Sequence, residues 1–217
     1  MVVLLDALGT LVELQPPAPR LRRLLAERGF EVDEPRAAAA FAAEISYYLE
    51  HHLEGSSRER LDDLRDRCAE KMLAALALPG LDHASAREVM LGALEFVPFP
   101  DALPALEALR ERVVVVVSNW DCSLPDWLEP AGLLEHVDAV VTSAQVGVAK
   151  PGRGIFEKAL ELAGARPGEA VHVGDSLDND VAGARAAGIR PVLVARDGQA
   201  PQGVEVVRSL AELPALL

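Results

Sequence analysis

Residues 1–10 of the chain, MVVLLDALGT, join an uninterrupted apolar run to a polar turn. Asp6 stands at the end of the run, and Gly9 and Thr10 follow it in the turn. A strand that ends in such a turn holds one carboxylate at the edge of a sheet, which is a good way to present a nucleophile. The turn carries no second acid, because position 8 is Leu8.

Similar apolar runs of strand length recur along the second half of the chain, at residues 113–117, 139–141, 170–173 and 191–194. Helical patterns separate these runs or follow them, at residues 101–112, 153–163, 178–187 and 210–217. Continuously apolar strands are typical of a parallel sheet that is covered on both faces. The alternation therefore predicts an α/β fold with a doubly wound, Rossmann-like parallel-sheet core.

A helical segment interrupts this alternation after the first strand. It contains no strand pattern and four helical patterns, at residues 18–28, 35–53, 58–78 and 84–94. Proline-rich stretches flank it, QPPAP at 15–19 and VPFPD at 97–101, as expected of a semi-rigid hinge. We therefore expect an inserted all-helical domain over residues 16–95 and a core formed by residues 1–15 and 96–217.

Composition excludes several kinds of partner. The 217 residues include 21 basic and 34 acidic ones, and a net charge of −13 argues against nucleic acid and anionic membranes. No run reaches the roughly 20 apolar residues of a membrane span, and residues 1–10 lack the basic flank of a signal peptide. Cys68 and Cys122 have no ligand-like spacing, so we expect buried thiols in a cytoplasmic protein. The sequence leaves monomer and homodimer open.

Four polar segments follow predicted strands: residues 6–10, Ser118-Asn119, Lys150-Pro151 and GDSLDND at 174–180. Ligands of an open parallel sheet bind outside the carboxyl ends of its strands, so these segments are expected to meet in one pocket. One further polar residue, His172, lies inside a predicted strand, and we expect it to be a hydrogen-bonded core residue.

The residue types in that pocket suit phosphoryl transfer. Asp6 offers a nucleophilic carboxylate, and Asp175 and Asp180 offer the hard oxygen ligands that Mg²⁺ prefers. Ser118, Asn119 and Lys150 provide hydroxyl, amide and ammonium donors for a phosphoryl group.

These motifs resemble the haloacid dehalogenase-like hydrolase superfamily, in order, from Asp6 to Asp180. The second motif, SNWD at 118–121, resembles the subfamily I branch, and the helical insertion resembles its first-type cap. The resemblance implies a Mg²⁺-dependent phosphatase that acts on a small phosphorylated metabolite. The implied catalytic residues are Asp6, Thr10, Ser118 and Lys150. The implied substrate-binding residues are Ser118, Asn119 and Lys150. The implied metal ligands are Asp6, the Leu8 carbonyl, Asp175 and Asp180.

Leu8 leaves three interpretations open. In the family, the side chain two residues after the nucleophile serves as general acid and base, a role worth about 10²–10⁴-fold in rate that leucine cannot fill. The dehalogenase members also lack an acid there, so a 2-haloacid dehalogenase is one alternative and a ligand-binding member with low activity is another. The retained Asp175 and Asp180 favour a phosphatase, with activity weakened because Leu8 replaces the usual acid.

Overall fold

The computed structural model describes residues 1–196, 198 and 202–217. The chain forms two compact units, one made of Met1–Glu13 and Val97–Leu217, the other of Leu14–Phe96. The strands are β1 Val2–Leu5, β2 Val12–Leu14, β3 Phe96–Pro98, β4 Val114–Ser118, β5 Ala139–Thr142, β6 Ala170–Gly174, β7 Arg190–Val194 and β8 Glu205–Val207.

The α-helices follow the same order along the chain. They are α1 Pro17–Ala26, α2 Glu34–His51, α3 Arg58–Leu76, α4 His83–Ala93, α5 Ala102–Ala108, α6 Leu124–Leu128, α7 Ser143–Val146, α8 Arg153–Ala163, α9 Gly183–Ala186 and α10 Leu213–Leu216. No described helix combines the length and the apolar character needed to cross a membrane.

The first unit contains a six-stranded parallel sheet in the order β5-β4-β1-β6-β7-β8. Every residue of β1, β4 and β6 is buried, as their apolar sequences require. Leu4 of β1 and Val115 of β4 belong to one apolar cluster with Ile155 and Phe156 of α8. The predicted α/β parallel-sheet fold is thus confirmed, and β1 lies near its centre.

The second unit is helical, and its helices begin where the sequence supplies capping groups. Asp33, Ser57 and Asp82 each accept a hydrogen bond from the main-chain N–H three residues later, at the start of α2, α3 and α4. Along α3, buried residues recur every three or four positions and include Leu61, Leu64, Cys68 and Met72. Strands β2 and β3 pair with each other as a separate two-stranded sheet.

The structure differs from the predicted helix 178–187. A π-helical turn occupies Leu177–Ala182, and α9 follows it. The main-chain N–H groups of Asp180 and Val181 both donate to the Ser176 carbonyl, at 3.0 and 3.1 Å, and the second bond widens the turn. The predicted helix 101–112 also ends early, at Ala108, and the predicted helix 210–217 divides into a 3₁₀ turn, Leu210–Glu212, and α10.

Candidate active site

The polar segments meet at the carboxyl ends of three adjacent strands. Asp6 directly follows β1, Ser118 is the last residue of β4, and Asp175 directly follows β6. Since β1 lies between β4 and β6 in the sheet, the three side chains emerge at one edge.

Lys150 joins the carboxylates of this edge. Its Nζ lies 2.6 Å from Asp6 Oδ1 and 2.6 Å from Asp180 Oδ1, and its side chain is 2% exposed. Ser118 Oγ donates to the same Asp6 oxygen at 3.0 Å. Two donors therefore fix Asp6, which suits a carboxylate that must present its other oxygen to a substrate.

The electrostatics of the site follow from burial and crowding. Burial raises the pKa of Asp6, and the charge of Asp180 adds to this effect, although Lys150 opposes it. Burial alone would lower the pKa of Lys150, but the charges of Asp6 and Asp180 outweigh it and raise that pKa. Loss of hydration, with the charges of Asp6 and Asp180, raises the pKa of Asp175 to about 6. The single ammonium of Lys150 therefore does not neutralise the three carboxylates, and a bound cation would supply the missing positive charge.

Asp180 behaves differently from its neighbours. Burial would raise its pKa, but the hydrogen bond from His172 and the charge of Lys150 hold that pKa well below its usual range. Its Oδ2 also accepts at 3.0 Å from the main-chain N–H of Ser176, the residue before the π-helical turn. Asp180 is therefore held as a carboxylate despite being buried.

Carboxylate oxygens of Asp6, Asp175 and Asp180 lie within 4.8 Å of one another. Two glycines make this approach possible, because a Cβ on Gly9 would lie 2.1 Å from Asp175 Oδ2 and one on Gly174 would lie 2.2 Å from Asp180 Cγ. An all-oxygen, carboxylate-rich set of this size fits Mg²⁺.

The remaining predicted residues have distinct surroundings. Leu8 is 44% exposed, so its side chain fills no core position. Asn119 makes two hydrogen bonds to the main chain of Lys150. Its Oδ1 accepts from the Lys150 N–H at 2.7 Å, and its Nδ2 donates to the Lys150 carbonyl at 3.0 Å. Thr10 is buried, and its hydroxyl makes no hydrogen bond with any residue that the structure describes.

One contact of the site was not foreseen from the sequence. His172 Nε2 lies 2.8 Å from Asp180 Oδ1, so the expected hydrogen-bonded core histidine is confirmed, but its partner belongs to the site. The sequence contained a signal for this contact. His172 is two residues before Gly174, where the predicted polar segment 174–180 begins, and residues two apart in a strand share a face.

Comparisons with known proteins agree with this geometry. The model of the haloacid dehalogenase-like hydrolase family matches residues 1–188. Haloacid dehalogenase-like hydrolase domain-containing protein 3 from Bos taurus is 49% identical over 92 residues, which cover 42% of this chain and 37% of that protein. Glyceraldehyde 3-phosphate phosphatase from Methanopyrus kandleri is 38% identical over 102 residues, 46% of this chain and 44% of that protein. The chain thus spans less than half the length of these curated relatives.

Solved structures extend the likeness to the whole chain. The HAD phosphatase from Thermococcus onnurineus is 28% identical with a TM-score of 0.66, covering 99% of this chain and 96% of that one. L-2-haloacid dehalogenase from Xanthobacter autotrophicus is 25% identical with a TM-score of 0.72, covering 99% and 97%. From its motifs, its fold and the match over residues 1–188, the chain belongs to the haloacid dehalogenase-like hydrolase family.

Proposed function

We propose that this hydrolase is a Mg²⁺-dependent phosphatase that acts on a small phosphorylated metabolite through Asp6. The observation that carries the proposal is the cluster of Asp6, Asp175 and Asp180 around the buried ammonium of Lys150. Three carboxylates this close repel one another, and the one ammonium between them cannot neutralise all three charges, so the site favours a bound cation. The similarity to the phosphatase from Methanopyrus kandleri points the same way.

In the proposed reaction, Asp6 attacks phosphorus in line and forms an acyl phosphate while the ester oxygen leaves. Water then cleaves the new bond and releases inorganic phosphate. Ser118 and Lys150 orient Asp6 and stabilise the phosphoryl oxygens, and Asn119 fixes the main chain that carries Lys150. Bound Mg²⁺, held by Asp6, Asp175, Asp180 and the Leu8 carbonyl, would neutralise phosphoryl charge.

Leu8 limits this reaction at proton transfer. Its side chain carries no proton to donate, so the leaving group must take one from water or depart as an anion. Substrates whose leaving groups are weak bases are therefore expected to react fastest. The helical unit, Leu14–Phe96, is proposed to act as the cap that controls substrate choice.

Leu8 and the likeness to L-2-haloacid dehalogenase favour one second candidate, a dehalogenase in which Asp6 displaces halide. Halide needs no proton, so Leu8 would cost that reaction nothing.

A panel of aryl and alkyl phosphates, with Mg²⁺ and with EDTA, separates these functions. We expect turnover that requires Mg²⁺ and is lost in Asp6→Asn. It should be retained in Asp178→Asn, which removes an exposed acid from the π-helical turn that carries Asp180. Halide release from a 2-haloacid without metal would replace the proposal with the dehalogenase. Absence of Asp6-dependent turnover on every substrate would leave only a ligand-binding role.

A further inference from the structure

We propose that His172 is a positioning residue: it holds the Asp180 carboxylate, and Asp180 in turn holds the Lys150 ammonium against Asp6. The inference deepens the proposed phosphatase function and rests on it, because it concerns the orientation of Asp6, the proposed nucleophile. None of the motifs that identify the family includes this histidine, which lies inside β6.

The surroundings of His172 make its polarity costly. The residue is fully buried, and β6 places it between Leu4 of β1 and Pro191 of β7. The ring of Phe156 meets the imidazole edge-on, with the ring centres 5.0 Å apart. An aliphatic side chain would fill this position without desolvating two ring nitrogens. The side-chain hydrogen bond to Asp180 is therefore the feature that an aliphatic residue could not supply.

That hydrogen bond also defines the tautomer. An ionised Asp180 carboxylate can only accept, so His172 Nε2 must be the donor and must carry the proton. Nδ1 is buried and has no partner among the described residues.

Asp180 is thereby held by three donors. His172 and Lys150 share Oδ1, and the Ser176 N–H occupies one side of Oδ2. Without His172, the carboxylate keeps one donor on each oxygen and can rotate, and Lys150 can follow it away from Asp6. Groups that orient ligands of a metal site typically contribute 10–100-fold to metal affinity or activity.

Two replacements separate the hydrogen bond from the packing. His172→Leu removes the donor and keeps an apolar side chain, and His172→Gln places an amide N–H within reach of Asp180. Phe156→Leu is the matched control, because it loosens the same region without removing the donor. We would measure Mg²⁺ affinity by calorimetry without substrate, kcat and KM on an aryl phosphate, and unfolding in denaturant.

We expect His172→Leu to lose about 10–100-fold in Mg²⁺ affinity or kcat. His172→Gln should recover most of that loss, and Phe156→Leu should lower stability alone. The imidazole ¹⁵N spectrum of the wild type should show a protonated Nε2 and a bare Nδ1, and Asp180→Asn should shift the Nε2 signal.

Wild-type Mg²⁺ affinity and kcat in His172→Leu would overturn the proposal, and so would a glutamine variant as impaired as the leucine variant. If the leucine variant does not fold, a ¹⁵N spectrum with the proton on Nδ1 would overturn it as well. If the wild type hydrolyses no phosphate ester, the proposed function fails. The calorimetry and the spectrum still report on His172 separately.

Discussion

Replacing Gly9 by alanine tests whether the approach of Asp175 to Asp6 depends on a missing side chain. Gly9 has φ +85°, and an added Cβ would lie 2.1 Å from Asp175 Oδ2 and 2.6 Å from its Cγ. Gly29, in the helical unit, has nearly the same φ, +84°, but an added Cβ there meets nothing within 4 Å. Gly29→Ala is therefore a control for backbone strain without the clash.

Both variants should lose about 1–2 kcal/mol of unfolding free energy, the cost of a Cβ in the left-handed region. In Gly9→Ala the clash is relieved most cheaply by rotation of Asp175, a partly solvent-exposed side chain, so little further stability is lost. That rotation removes a carboxylate from the cluster, and we expect Mg²⁺ affinity to fall at least tenfold, as for other disturbed metal sites.

Denaturant unfolding and calorimetric Mg²⁺ titration of both variants measure the two effects separately. Equal Mg²⁺ affinity in Gly9→Ala and the wild type would refute the reasoning, because it would mean that the carboxylate does not need this space. Weakened Mg²⁺ binding in Gly29→Ala would also refute it, because strain alone would then explain the result.

Two further predictions concern Leu8 and Glu44. Leu8→Asp should raise kcat about 10²-fold on alkyl phosphates and much less on aryl phosphates, because only the former need a general acid; an equal change on both classes would argue against a proton-transfer defect. Burial raises the pKa of Glu44 from 4.5 to about 7, so the folded state binds this proton more tightly and stability falls as pH rises between those values. In denaturant unfolding at pH 8, Glu44→Gln should therefore be more stable than the wild type by up to about 3 kcal/mol, and at pH 4 this gain should vanish. The control Glu50→Gln, which replaces an exposed residue of the same helix, should show no such pH dependence.

Strands buried on both faces could be predicted because their sequences are apolar throughout. β1 and β6 agree with their predicted ranges to within a residue. β8 was missed, since it is three residues long, lies at the sheet edge and includes Glu205, which pairs with Arg190 of β7. A short edge strand with a charged residue has no pattern that distinguishes it from a loop.

The meeting of Asp6, Ser118 and Asp175 could be predicted because parallel strands present their carboxyl ends at one edge. The bonds that fix Asp180 could not, because the sequence pattern predicts an ordinary helix over 178–187 and not the π-helical turn that carries this residue. Nor does the sequence show that Asn119 binds the main chain of Lys150. A direct contact between Asn119 and substrate remains a prediction.

If the site binds Mg²⁺ and a phosphate ester as proposed, the charges around Lys150 also set the order in which the two can enter. With Asp6, Asp175 and Asp180 ionised, three negative charges face one ammonium, and two remain uncompensated. A phosphate ester arriving first would be repelled both by this excess and by the acidic protein as a whole. A divalent cation arriving first cancels the excess. For the proposed phosphatase, this charge balance predicts ordered addition, with the metal before the ester, and inorganic phosphate should bind the metal-free protein poorly.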